Sequence, residues 1–191
     1  MIRDIVIRNR SYRRFHQEHT ISIEELREIV DLARLSASAA NRQPLKYILS
    51  NDVTVNGTIF EHLGWAAYLK DWPGPVDGER PSAYIIILGD TDIARDFWCD
   101  HGIAAQSILL GAVEKGLGGC MIGAINKKSL VEALHISVRY EILLVIAIGK
   151  PKEEVRIERV GPDGDIRYWR DENGVHHVPK RSLEEVILKR D

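Results

Sequence analysis

Cysteine is scarce in this chain: two in 191 residues, Cys99 and Cys120, without C-x-x-C spacing and without a histidine placed to share a metal. That excludes a disulfide-stapled scaffold and the common zinc signatures, and fits a reducing compartment. Long apolar runs are missing too. No eighteen consecutive residues are apolar, and Met1-Ile2-Arg3-Asp4-Ile5-Val6-Ile7 is broken by charge, so neither a membrane span nor a signal peptide is expected. Nor does one sign of charge dominate: 26 Lys and Arg against 28 Asp and Glu leave a net charge of −2. A global field that gathers nucleic acid or an acidic membrane is therefore excluded, and positive charge must act locally. No internal repeat and no G-x-G-x-x-G dinucleotide fingerprint is present. The expectation is a cytoplasmic protein with no nucleic-acid or membrane partner.

What is there is enough apolar residue, 45%, to build a core as one domain over residues 1–191. Ser22-Ile23-Glu24-Glu25 is a capping box, so a helix is predicted to start there and to carry Ile23, Leu26, Val30 and Ala33 on one face until it fades in the Ser36 to Ala40 run. Leu45–Leu49, Ala83–Leu88 and Glu141–Ile148 read as strands, the second apolar throughout as in a sheet covered on both faces. Asp100 to Lys115, closed by Gly116, reads as a buried helix whose small residues admit a close neighbour. Trp72 to Pro81 is a surface loop, and Asn126 caps a further helix. Near the end, Asn173-Gly174 between two β-prone runs predicts a type I′ hairpin, and Ser182-Leu183-Glu184-Glu185 opens a short last helix. The irregular alternation predicts an α+β fold: a central sheet with helices packed on it.

Two segments carry the chemistry. Asn9-Arg10-Ser11-Tyr12-Arg13-Arg14-Phe15 clusters guanidinium and hydroxyl donors, and Ser38-Ala39-Ala40-Asn41-Arg42-Gln43-Pro44 sets small residues and amides just past a helix. Together they suggest a site for a phosphorylated, planar cofactor. Adjacent residues of an extended segment face opposite sides, so Arg14 is read as structural if Arg13 is functional, and Phe15 as core.

These segments, with Gly102-Ile103-Ala104-Ala105-Gln106, Gly116-Leu117-Gly118-Gly119-Cys120-Met121-Ile122-Gly123, Ile148-Gly149-Lys150-Pro151 and Lys180-Arg181, follow one another in the order of a known family. The chain resembles the nitroreductase superfamily of FMN-dependent oxidoreductases over almost its whole length. It departs at Asn9, where the family often has a second arginine, at Ala37-Ser38-Ala39, and at Leu45, where a tryptophan is common. The resemblance implies a mostly antiparallel central sheet flanked by helices, and a homodimer holding two FMN at its interface, with a C-terminal segment reaching the partner subunit. It also implies NADH or NADPH as donor, and a small-molecule acceptor of nitroaromatic, quinone or flavin type reached by ping-pong turnover. A specialised member, of reductive dehalogenase or flavin-fragmenting type, and a flavin-binding carrier or sensor without turnover are the competing readings.

By the same resemblance Arg10 and Ser11 bind phosphate or ribityl oxygens, Tyr12 is a further cofactor-binding residue, and Arg13 lies at the flavin's N1 and O2, where a cation raises its reduction potential. Ala37, Ser38, Ala39, Asn41 and Gln43 serve the flavin held mainly by the other chain. Met121, Ile122 and Gly123 line its central ring, with a backbone N–H near N5, and Lys180 and Arg181 form a second phosphate-binding pair. Each position has a plainer reading: a solvated arginine for Arg10, a surface ion pair for Arg13, a helix cap for Asn41, a simple turn at Gly123, solvated charges at Lys180 and Arg181. No catalytic side chain and no metal is expected. His176 and His177, neighbours in a strand, face opposite ways. Cys120 is read as a small buried hydrophobe, and Trp65, Tyr68 and Trp72 either roof the flavin or serve as core and dimer contacts.

Overall fold

The run Ala83–Asp90 is apolar at nearly every position and wholly buried, which a strand achieves only at the centre of a sheet covered on both faces. In the computed structural model, which describes residues 1–188, it does so. The elements are α1 (Ile2–Arg8), β1 (Phe15–His16), α2 (Ile23–Arg34), β2 (Leu45–Ser50), α3 (Val53–Glu61), β3 (Ala83–Asp90), α4 (Asp100–Glu114), β4 (Gly118–Ile122), α5 (Lys127–Ala133), β5 (Tyr140–Pro151), β6 (Val155–Arg159), β7 (Trp169–Arg170), β8 (His176–Lys180) and α6 (Leu183–Val186). The main sheet runs β1-β5-β3-β2 with β4 also on β5, and every pairing is antiparallel. A second sheet, β6-β8-β7, pairs β6 with β8 in parallel and β7 with β8 antiparallel.

Side-chain alternation along β3 and β5 divides the core in two. Ile85, Ile87, Ile146 and Ile148 face α2 and α4, while Tyr84, Ile86, Leu88, Val145 and Ala147 share the cluster that holds Ile59 of α3 and Leu130 of α5. The sheet is thus a middle layer between helices, the α+β arrangement expected. The predicted strands and the predicted helices α2 and α4 stand within a few residues of their sequence bounds. The Ser22 hydroxyl accepts from the Glu25 amide at 3.1 Å while the Glu25 carboxylate accepts from the Ser22 amide at 2.8 Å. Helix α2 buries Leu26, Ile29 and Ala33, so its inward stripe is turned toward Ile29 rather than Ile23, which is exposed.

Two features differ from expectation. The Asn173-Gly174 turn is not type I′, which needs positive φ at both central residues. Only Gly174 has it, φ +78°, and the Gly174 amide donates to the Asp171 carbonyl, so a three-residue loop with glycine in the left-handed position joins β7 to β8. Helices α1 and α3 and strands β1 and β6 were not anticipated, being short or lacking a clear period.

Strand β4 is fitted closely to its neighbour. A Cβ on Gly119 would stand 2.4 Å from the Ala147 carbonyl oxygen, whereas one on Gly123, just past the strand, would meet nothing within 4 Å. Gly119 also bridges Ser11 and accepts from the Tyr12 amide at 3.0 Å, so it ties the N-terminal motif to the sheet. Gly119→Ala is expected to lower unfolding free energy by roughly 1–3 kcal/mol. Gly123→Ala should change it by less than about 0.5 kcal/mol. Urea unfolding of both variants checks this, and equal costs would contradict the packing described.

Candidate functional site

The N-terminal motif is held by one buried carboxylate. Glu153, just past β5, has a side chain with no exposed surface; its Oε1 accepts from the backbone amides of Arg13 and Arg14, and its Oε2 accepts from Arg170 Nη2 at 3.0 Å. The two arginines then diverge as extended backbone requires. Arg14 forms a fork on Glu79 at 2.6 and 2.7 Å, and Glu79, shared with Lys152, is held down at about 2. Arg13 turns the other way and is buried. Its Nη1 donates to the Ser11 carbonyl at 3.2 Å and lies 3.3 Å from His176 Nε2, and the guanidinium sits 4.8 Å over the Tyr168 ring.

Arg13 and Tyr168 are shared by two cavities. One, about 320 Å³, is lined by Arg10, Ser11, His176 and Lys180. The other, about 170 Å³, is lined by Trp65, Ala66, Met121, Ile122 and Gly123. Several buried polar atoms around them have no partner among the described residues: Arg10 Nε and His176 Nδ1 on residues of the first, Trp65 Nε1 on a residue of the second. Burial together with Arg13 and Arg170 lowers the His176 pKa to about 4, so the ring is neutral near pH 7. With the always-protonated Arg13 donating to Nε2, the proton is on Nδ1, which leaves a buried N–H donor unspent.

Of the predicted residues, Arg10, Ser11, Arg13 and Lys180 come together around the first cavity, and Met121, Ile122 and Gly123 around the second. Tyr12 lines neither; its hydroxyl donates to the Arg8 carbonyl and its ring covers Gly118. Arg181 also lies outside both, 3.8 Å from Glu185. Ala37, Ser38 and Gln43 line a separate cavity of about 210 Å³ beside Tyr47 and Asp100, with no residue in common with the other two. There the Ser38 hydroxyl donates to Asp100 at 2.6 Å and accepts from the Gln43 amide at 2.9 Å, and the Ala39 amide donates to Asp100 at 2.9 Å. Ala40, Asn41 and Gln43 have φ of 51°, 52° and 51°, the left-handed region that side chains disfavour. Asn41 therefore sits in a strained turn, where its Oδ1 accepts from Gln43 Nε2.

Cys120 is buried, and desolvation raises its thiol pKa, which keeps it protonated as a small hydrophobe. The aromatic residues form a linked cluster: Trp65 with Trp72, Tyr68 with Tyr168, and Trp72 under Arg170 at 4.3 Å. Tyr168, His176 and Glu153 are the residues sequence reading missed. The signal was the aromatic-basic run Tyr168-Trp169-Arg170, read only as part of a hairpin.

The Nitroreductase family model matches residues 7–150, well over half of the chain. The chain belongs to the nitroreductase family. A relative in Archaeoglobus fulgidus, named "Putative NADH dehydrogenase/NAD(P)H nitroreductase", is 28% identical over 149 residues, covering 74% of this chain and 80% of its own. Another in Bacillus subtilis, "Putative NAD(P)H nitroreductase YodC", is 28% identical over 196 residues, 87% of this chain and 97% of its own. Among solved structures, a nitroreductase family protein from Streptococcus pneumoniae superposes with a TM-score of 0.73 over 100% of both chains at 16% identity. A Desulfovibrio desulfuricans protein solved with FMN reaches 0.71, covering 100% of this chain and 96% of its own at 22% identity. These confirm the nitroreductase fold.

Glu153→Ala, which leaves Arg170 and two buried amides unpaired, is expected to cost roughly 3 kcal/mol of stability by urea unfolding. The adjacent histidines titrate in opposite senses. His176, depressed, contributes stability present above about pH 6.5 and lost as pH falls toward about 4. His177, raised by Glu158 and Asp171, contributes stability present below about pH 6.5 and lost as pH rises through its own pKa. His176→Gln should therefore flatten the decline in stability between about pH 6.5 and about 4; a curve parallel to that of the parent protein would refute the assignment.

Proposed function

We propose that this chain is an FMN-dependent oxidoreductase, passing two electrons from NADH or NADPH to a nitroaromatic, quinone or flavin-type acceptor. The observation that carries the reading is the pair of cavities meeting at Arg13, one rich in cationic and hydroxyl donors and the other lined by small residues past β4. The donor set suits a phosphorylated planar cofactor. Arg10 Nε and the His176 Nδ1 donor are buried without partners among the described residues beside the first cavity, and the space at Gly123 admits a ring against backbone.

In this reading FMN, when bound, supplies hydride chemistry at its N5 atom. Arg10, Ser11 and Lys180 hold its phosphate by charge-assisted bonds. Arg13, already fixed by Ser11 and His176, presents a positive charge to the polar edge of the ring, where a preorganised cation stabilises developing negative charge. The β4–β5 ladder ends at Ile122, so the Gly123 N–H lies beyond the sheet and orients the reacting edge. Tyr12 stands one step away, its hydroxyl on the Arg8 carbonyl, and Arg181 stands beside Glu185. Donor and acceptor use the same opening in turn, a ping-pong cycle that requires no side-chain acid or base.

The homodimer belongs to the same proposal. Ala37, Ser38, Ala39, Asn41 and Gln43 lie apart from the Arg13 cavities of their own chain, which supports their serving the flavin of a second copy. Among the described residues no helix is long and apolar enough to cross a membrane, in keeping with a cytoplasmic setting.

The test is the visible spectrum of the purified chain with FMN, before and after anaerobic NADH or NADPH. Bound flavin that bleaches supports the proposal and names the donor. Flavin that stays oxidised favours a carrier or sensor, and absence of binding removes the cofactor. Arg13→Ala should weaken FMN binding by roughly tenfold or more, the size of one charge-assisted hydrogen bond, and slow bleaching.

A further inference from the structure

A cavity of about 280 Å³ lies outside the site described above, between α3, the start of β3 and the loop that precedes it. Phe60 separates the two regions: it lines this cavity and packs at 5.7 Å on Trp65, which lines the other. Three polar side chains on its wall have buried atoms with no partner among the described residues: Arg80 Nε, Ser82 Oγ and Tyr84 OH. Tyr84 is 1% exposed. Burial raises its pKa, so the phenol stays protonated and remains a donor. The Arg80 guanidinium lies 4.3 Å over the Phe60 ring and has no ion pair or side-chain hydrogen bond among the described residues, although it is partly buried.

Of the other polar groups on the wall, Thr20 is exposed to solvent, and Asn56, Asn51 and Gln17 are engaged. Asn56 accepts from the Ser50 hydroxyl and donates to the Ser82 carbonyl; Asn51 donates to the Ile21 carbonyl; Gln17 Oε1 accepts from the backbone amides of Gly78 and Arg80. What remains unspent is a guanidinium and two hydroxyls, donors without acceptors. Buried donors in this number call for an acceptor-rich guest. The planar guanidinium matches a carboxylate. Ile21 and Phe60 offer the apolar surface that an alkyl or aromatic body covers. Asp77, exposed at the rim and holding the Gln17 amide at 3.3 Å, adds a negative charge that disfavours a dianion such as phosphate.

We propose that this cavity is a second ligand site, for a small monocarboxylate with an apolar body, its carboxylate on Arg80, Tyr84 and Ser82 and its body against Phe60 and Ile21. The proposal does not depend on the flavin reading.

Fluorine NMR titration of the full chain with 4-fluorobenzoate tests it. Saturable binding is expected, lost in Arg80→Met, weakened about tenfold in Tyr84→Phe, unchanged in Arg13→Ala and not displaced by inorganic phosphate. Tyr84→Phe keeps the ring and its packing, so it remains informative if Arg80→Met fails to fold. Lack of saturable binding, as a cavity filled only by water would give, overturns the proposal. So does binding that survives both Arg80→Met and Tyr84→Phe, binding abolished by Arg13→Ala alone, or ready displacement by phosphate.

Discussion

The candidate site depends on the buried carboxylate of Glu153. Its two oxygens take the amides of Arg13 and Arg14 on one side and the Arg170 guanidinium on the other. Three segments, the N-terminal motif, the end of β5 and strand β7 of the small second sheet, are thereby fixed to one point. A buried charge is tolerated only when its lone pairs are occupied, and here protein donors on both oxygens occupy them. Because both amides are fixed, the side chains of Arg13 and Arg14 are forced apart. One goes into the cavities and the other to Glu79.

Around that anchor, the second sheet acts as a wall. Parallel pairing of β6 with β8 and the loop closed by Gly174 bring Tyr168 over Arg13 and His176 beside it. His177, next in sequence, points the other way, stacked on Trp169 at 4.0 Å and held between Glu158 and Asp171. One strand thus places a neutral imidazole in the interior and a carboxylate-paired one toward its opposite face.

Much of the architecture was legible because its signals are local. The uninterrupted apolar run of β3, the Ser22 and Ser182 capping boxes and the small-residue pattern of α4 each follow from residues within a few positions of one another. The motif residues Arg10, Ser11, Arg13 and Gly123 were legible through family resemblance, and the structure gathers them at two adjoining cavities. Tyr168, His176 and Glu153 were not, since their importance comes from long-range pairing: Glu153 meets Arg13 across 140 residues. A carboxylate in a run such as Lys152-Glu153-Glu154 looks solvated until the fold buries it. The turn at Asn173-Gly174 was misread because the dipeptide is shared by two hairpin geometries, and only φ at Asn173 distinguishes them.

The bonds from Asp100 to Ser38 and Ala39 have a mechanical meaning. Asp100 begins α4, a helix whose Ala104, Ala105, Ile108 and Ala112 are locked into the core against the sheet. The strained turn at Ala40 to Gln43 is therefore not free to adjust by itself; it rides on the end of that helix as on a lever. A shift of α4, produced by a substitution deep in the core, would be passed through Asp100 to the Ser38 hydroxyl and the Ala39 amide, and through Ser38 to the Gln43 amide. The tolerance of those amides to error is set by core packing several turns away.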